Sequence, residues 1–325
     1  MFPIQPLRSF EQLKLLADPR RLAILRQLMS APASLTDLGK ALGRHPAWVR
    51  HHLKQLEAAG LVELVETRVQ SGVVEKFYRA RAGGFLVQEL ILADNPARPA
   101  IVFSGSHDLA VELLAHQLSK HLDILTLPVG SLDGLVTLRQ NLCDLSGAHL
   151  LDPGGEYNLP FIRHFFPDRL MQVVTLAQRE QGLIIAPANP LGIHSLVDLA
   201  RADVTFINRN SGSGTRLWLD RQFLAQGIPI QSIHGYENAV STHTESARRV
   251  HAGKADVALG LRASARQFGL DFVPLFHERY DLVFSQGQAA RLSPLLDTLQ
   301  TGAFRRGVEA LTGYEITHTG EQIPL

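Results

Sequence analysis

Apolar residues recur at helical spacing over the first sixty positions, then alternate with polar ones, and from about residue 99 switch to short runs punctuated by glycine and serine. Phe10, Leu13 and Leu16 mark a helix over 9–17, and Leu22, Leu25 and Leu28 a second over 20–30. Pro19 stands between them, where proline suits a first helical turn. Ser34 or Thr36 can cap a third, short helix that runs through Leu42 and ends at Gly43. Pro46 opens a longer helix to Ala59, stopped by Gly60. The stretches LVELVETRV and VVEKFYRA then alternate around Gln70-Ser71-Gly72, the pattern of a β-hairpin. Past residue 99 the runs AIVFSGSHDLAVELLAHQL, DILTLPVGSLDGLVTLRQ and VTFINRNSGSGTRLWLDRQFLAQG each predict a strand, a tight turn and a helix. Strands alternating with helices imply a parallel α/β sheet.

A chain of 325 residues exceeds one typical domain, and 45% hydrophobic against 19% charged residues is an ordinary globular balance. Ala93-Asp94-Asn95-Pro96-Ala97-Arg98 predicts a linker between a unit at 1–92 and another at 99–325. The net charge of +1 conceals a split: residues 1–92 carry 13 Lys and Arg against 8 Asp and Glu, or +5. The rest carries 19 against 23, or −4. A basic module on a mildly acidic partner suits nucleic-acid binding by the former. No apolar run is long enough to span a bilayer, the start lacks a secretory pattern, and Cys143 stands alone, so a cytoplasmic protein without disulfides is expected. The 14 histidines include no His-x-x-x-His pair, which argues against a metal centre; no cofactor is expected.

Short helix, glycine turn, longer helix and hairpin is the order of a winged helix-turn-helix. On the second of those helices Val49, Leu53 and Leu56 share a stripe that should face the core. The other face presents Ala47, Arg50, His51 and Lys54, with Arg44 and His45 at its N-terminal edge; Arg68 and Lys76 sit on the hairpin. An apolar back and a cationic, hydrogen-bonding front are what an element entering a major groove requires. Residues 8–82 resemble the ArsR-type winged-helix regulators through LADPRRLAILRQL, SLTDLGKALGRHPAWVRHHLKQLEAAGLVE and the wing ending EKFYRA. The resemblance implies a homodimer on double-stranded operator DNA, with half-sites about one helical turn apart. The cysteine pairs with which many members sense metals are missing.

Three hydroxyl-rich turns each follow a strand and open a helix: Ser104-Gly105-Ser106-His107, Gly130-Ser131, and Asn210-Ser211-Gly212-Ser213-Gly214-Thr215-Arg216. Helix N-termini and hydroxyls together can cradle an anion, although each turn also fits an ordinary cap. No lysine follows at P-loop spacing, and no Gly-x-Ser-x-Gly elbow is complete. Residues 99–325 look like a type-2 periplasmic-binding-protein domain, closest to the molybdate- and tungstate-binding group. The likeness is carried by FSGSHDLA, DPGGEYNLPF, REQGLIIAP, FINRNSGSGTR and HAGKADVALGLRASA. It implies two α/β lobes, 99–175 plus 281–325 and about 180–275, joined by crossovers near Thr175–Glu180 and Leu275–Asp281. By motif matching, Ser104, Ser106 and Ser131 would line one lobe, and Ser211, Ser213, Thr215, Arg216 and Thr242 the other. Tyr157 and Tyr280 are wall residues or core.

These readings combine into a non-enzymatic, ligand-responsive regulator. Its ligand would be an oxyanion such as molybdate or tungstate, with a small organic acid as the alternative. A protein that uses its winged helix for protein contacts, or an enzyme built on residues converging from afar, are the rivals.

Overall fold

The computed structural model describes every residue except 1–3, 8, 71, 72, 88, 89 and 95. Contacts divide the chain into two compact units, Met1–Leu92 and Ala93–Leu325. Ser71 and Gly72 of the hairpin turn, and Asn95 of the expected linker, lie outside the described residues.

The first unit orders β1 (Ile4–Leu7), α1 (Phe10–Leu16), α2 (Pro19–Ser30), β2 (Ala33–Ser34), α3 (Leu35–Leu42), α4 (Pro46–Ala58), β3 (Val62–Gln70), β4 (Val73–Ala80) and β5 (Gly84–Val87). Local chemistry sets the helix ends. Asp18 caps α2 ahead of Pro19, and Ser34 rather than Thr36 caps α3, exchanging hydrogen bonds with Asp37 in a capping box. Gly43 closes α3 in the left-handed conformation at φ 61°. The core gathers Ile24, Leu25 and Leu28 of α2, Leu38 of α3, Val49, Leu53 and Leu56 of α4, and Leu61, Val62 and Ala80 of the hairpin. The buried face of α2 is thus centred on Ile24–Leu28, with Leu22 only partly covered, and Phe10 of α1 is exposed. The pairing of β1 with β5, parallel from Ile4↔Gly84 to Leu7↔Val87, had no periodic pattern to announce it.

The second unit is built on one curled sheet in the order β11-β10-β12-β9-β13-β8-β6-β7. Its elements are β6 (Ala100–Gly105), α5 (Leu109–Leu118), β7 (Asp123–Pro128), α6 (Ser131–Arg139), β8 (Leu145–Ala148), α7 (Leu159–Phe165), β9 (Met171–Ile185), β10 (Phe206–Arg209), α8 (Gly214–Gln226), β11 (Ala239–Val240), α9 (His243–His251), β12 (Val257–Leu261), α10 (Arg262–Gln267), β13 (Asp271–Ser285), α11 (Ala289–Leu299), α12 (Gly302–Glu309), β14 (Tyr314–Glu315) and β15 (Gln322–Ile323). β6, β7 and β8 pair in parallel and form the sheet of one lobe; β10, β11 and β12 do the same in the other. The two lobes share β9 and β13, strands of 15 residues each that pair antiparallel from Asp271↔Ile185 to Ser285↔Met171. The register shifts at Pro274/Phe276 and again at Tyr280/Asp281. Separate apolar cores serve the two lobes, one around Phe103, Leu114, Leu176 and Phe304, another around Leu183, Phe206, Leu219 and Phe223.

Candidate nucleic-acid face and ligand site

Within the first unit, α4 buries Val49, His52, Leu53 and Leu56 and leaves Arg44, His45, Ala47, Arg50, His51 and Lys54 exposed. The adjacent histidines therefore split between faces. A groove of about 850 Å³ runs between α4 and the hairpin, with Thr36, Arg50, Lys54, Lys76 and Tyr78 among its walls. Three of the expected contact residues are engaged locally. His45 accepts from the Ala47 amide through Nδ1 and so caps α4; His51 reaches Gln55; Arg68 forks onto Glu66 and lies 4.2 Å over the Phe77 ring.

In the second unit the two lobes touch directly. The Leu132 amide donates to the Gly212 carbonyl at 3.1 Å, Asn210 Nδ2 to the Val129 carbonyl at 2.6 Å, and the His243 amide to His107 Nδ1 at 3.3 Å. The glycines at this seam are obligatory: a Cβ on Gly214 would stand 2.7 Å from the His149 ring, and one on Gly130 2.9 Å from the Ser213 amide nitrogen. Between the lobes lies a fully buried polar array centred on Glu278. One carboxylate oxygen meets His149 Nδ1 at 2.7 Å; the other accepts from Arg179 Nε and from Gln181 Nε2, each at 2.7 Å. Arg179 also donates to Asp108 at 2.5 Å and lies 4.4 Å over the Tyr280 ring.

These charges do not balance evenly. Burial works against the Glu278 charge, but His149 and Arg179 outweigh it and draw the carboxyl down to about 2. Burial likewise opposes the Arg179 charge, yet Glu278 and Asp108 hold its pKa above the ordinary value. Arg209 forms no such ion pair among the described residues, and Glu278 offsets its burial only through space. Its Nε and Nη2 donate only to the carbonyls of Val240 and Ser241, and burial followed by the Arg179 charge lowers it to about 9. Burial and the same two guanidiniums push His243 well below its usual range. Arg179 Nη2, Arg209 Nη1 and both ring nitrogens of His243 are buried without a partner. Buried polar groups are normally satisfied, and an unmatched buried cation is costly, so donors of this kind could hold an anion.

Residues 111–300 match the PBP superfamily domain, and residues 16–65 match a helix-turn-helix domain. The chain belongs to the PBP superfamily. It is 32% identical over 238 residues to the protein YvgK of Bacillus subtilis (strain 168), covering 71% of this chain and 76% of that one. It is also 41% identical over 83 residues to the HTH-type transcriptional regulator NmtR of Mycobacterium tuberculosis, covering 26% of this chain and 68% of NmtR. Among solved structures, an ABC-type phosphate transport receptor from Vibrio cholerae aligns with 66% of this chain and 98% of its own, at 14% identity and a TM-score of 0.44. A helix-turn-helix domain joined to a PBP-superfamily domain supports a ligand-responsive DNA-binding regulator.

Within this PBP-superfamily unit, four of the expected hydroxyls come together. Ser106 Oγ lies 2.8 Å from His149 Nε2, Ser131 Oγ accepts from the His149 amide at 3.2 Å, and Ser213 and Thr215 sit at the start of α8, whose Gly214 abuts the same ring. Ser213 doubles as the α8 cap, and Thr215 accepts from Gln181 at 3.1 Å. Other expected residues are placed elsewhere. Ser104 alternates away from the cleft and accepts from Thr137 under α6, while Ser211 is exposed at the tip of its turn. Arg216 stacks on Tyr236 at 4.6 Å and reaches toward Asp220, a surface brace. Thr242 caps α9. Tyr157 donates to the His277 carbonyl at 3.3 Å along β13. Tyr280 is core, and its hydroxyl holds the Ser106 carbonyl at 2.5 Å.

Sequence reasoning missed Arg179, Gln181, Arg209, His149, His243 and Glu278. Arg179, Gln181 and Glu278 stand on β9 and β13, where a run of consecutive polar residues amid long strands, Gln178 to Gln181 and His277 to Arg279, was the available sign. Arg209 lies in the FINRNSGSGTR segment, at the end of the strand directly ahead of its hydroxyl-rich turn.

Proposed function

We propose that the protein is a one-component transcription regulator: its first unit binds double-stranded operator DNA, and its second binds a small anion that adjusts the grip on DNA. The observation that carries this reading is the set of unpartnered buried donors on Arg179, Arg209 and His243, enclosed between two lobes in a chain that also has a helix-turn-helix domain. Enclosure of every one of these groups favours a compact guest, and the family resemblance supplies the class, a small oxyanion, of which molybdate and tungstate are the bare dianionic members. A small organic acid is the second reading, because a carboxylate fits an arginine fork equally well. Ser106, Ser131, Ser213 and Thr215 join Arg179, Arg209 and His243 as the proposed contacts. Arg44, Ala47, Arg50, His51, Lys54 and Lys76 are the proposed DNA contacts.

The protein works as a cytoplasmic homodimer in this reading, and the guest acts by favouring closed lobes over open ones. That preference supplies the coupling to DNA affinity, of the order of 1–3 kcal/mol. The test pairs a thermal-shift panel of oxyanions and small acids with gel shifts on the promoter beside its own gene. A stabilising anion should change operator affinity about 5- to 150-fold. Stabilisation without any change in DNA binding would sink the regulatory reading.

A further inference from the structure

Hydrogen-bond directions around Ser106 constrain what the guest must bring, given the anion reading above on which this inference rests. A carboxylate only accepts, so His149 Nδ1, 2.7 Å from Glu278, carries the ring proton. Burial lowers the His149 pKa below its ordinary value, so the ring is neutral at pH 7 and Nε2 is a bare acceptor. The Ser106 hydroxyl at 2.8 Å must then donate to that nitrogen. Its oxygen is left with lone pairs rather than a proton to offer.

Gln181 reaches the same outcome by another route. Its Nε2 is held by Glu278 Oε1 at 2.7 Å and Thr215 Oγ1 at 3.1 Å; exchanging the ends of the amide would set a carbonyl against a carboxylate. Oε1 is therefore the free end, and it is buried without a donor. Both residues adjoin Arg179. Gln181 shares the Glu278 oxygen with Arg179 Nε, and the Ser106 carbonyl is tied to Tyr280, on whose ring the guanidinium lies. The carboxylates that could have served as acceptors are consumed: Asp108 by the α5 amides, Arg179 and Tyr314, and Glu278 by His149, Arg179 and Gln181. Beside the cationic Arg179 the seam thus presents two neutral acceptors, Ser106 Oγ and Gln181 Oε1.

We propose that Ser106 and Gln181 are specificity-determining residues that select an anion carrying its own hydrogen-bond donor. A bare dianion would set lone pair against lone pair at both atoms, whereas a protonated oxyanion, or an acid with a hydroxyl beside its carboxylate, satisfies them. The test is isothermal titration calorimetry on the full chain at pH 7.5 with inorganic phosphate, arsenate, molybdate, tungstate, sulfate and glycolate. Phosphate and arsenate against glycolate separate the two sources of the donor. The better of them should bind about ten- to hundredfold more tightly than any of the bare dianions, the factor that one unsatisfied buried acceptor imposes. Gln181→Met, close in shape but without the acceptor, should weaken the donor-bearing anion and, by removing a repelling lone pair, tighten the dianions, so that the ratio collapses. Ser106→Ala provides a second, independent variant with the same expected collapse.

Molybdate, tungstate or sulfate binding as tightly as the donor-bearing anions would overturn the proposal while leaving the anion reading intact. So would a preference that survives in both variants. Hydrolysis of p-nitrophenyl acetate lost in Ser106→Ala would overturn it differently, by making the Ser106–His149–Glu278 array a nucleophile and its base. Absence of binding by every anion would remove the earlier reading and this one together.

Discussion

At Arg209 the protein holds a buried guanidinium to which, among the described residues, no carboxylate is hydrogen-bonded. Replacing it with methionine should separate two quantities that normally move together. Without anion, the Arg209→Met protein should melt at the same temperature or a few degrees higher, since an unmatched buried charge has been removed. With anion, the stabilisation available to the wild type, about 2.7 kcal/mol at a hundredfold excess over the dissociation constant, should vanish. Differential scanning calorimetry with and without the anion reads both, and a variant that melts lower yet still responds would contradict the role given to Arg209. Gly147 poses the opposite problem. Any Cβ there would overlap the Tyr280 hydroxyl that secures the Ser106 carbonyl. Gly147→Ala should cost about 1–3 kcal/mol by overpacking and displace Ser106, weakening anion binding as well. Unaltered stability would show that Tyr280 moves freely, contrary to its full burial.

Individual elements owe their ends and their titration to a few side chains. Ser34→Ala removes one half of the α3 capping box and should cost the first unit about 1 kcal/mol, read by urea unfolding. Acid should weaken the second unit in two stages. His149 and His243 have folded pKa values below 6.5, so their neutral forms favour the fold above that pH, and stability is lost as pH falls beneath it. Glu278 is depressed from 4.5 to about 2, so its contribution is present above 4.5 and disappears on the way down to 2. The melting temperature should be level from pH 8 to 6.5 and then decline, less steeply in His243→Gln just below 6.5. A flat profile down to pH 5 would refute the buried neutral histidines. Helix ends of this kind were legible in the sequence, because Pro19, Gly43 and Pro46 act locally. β1 and β5 were not, because a four-residue strand has too few positions for a period to show. The candidate site was half legible for the same reason: the turns of Ser106, Ser131, Ser213 and Thr215 show in local chemistry, whereas Arg179, Arg209 and Glu278 come together only when distant strands pair.

On the scale of the whole molecule, a basic unit of +5 and an acidic one of −4 divide the labour between a polyanion and a small guest. DNA affinity should fall steeply with salt, and Arg50→Glu with Lys54→Glu should abolish the gel shift without altering anion binding. Loss of both properties together would indicate misfolding rather than a lost contact. Among the described residues no helix is long and apolar enough to cross a membrane.

The long ladder between β9 and β13, shifted in register at two points, has a mechanical consequence. Two lobes joined by loose loops would swing apart at negligible cost, but here they are linked by a doubly bonded ribbon whose hydrogen bonds run through the junction. Such a ribbon yields by torsion, at the register shifts beside Pro274 and Tyr280, and acts as a stiff spring. Release of the proposed guest should therefore be governed by how fast that spring twists, and a slow dissociation phase in stopped-flow measurements is expected.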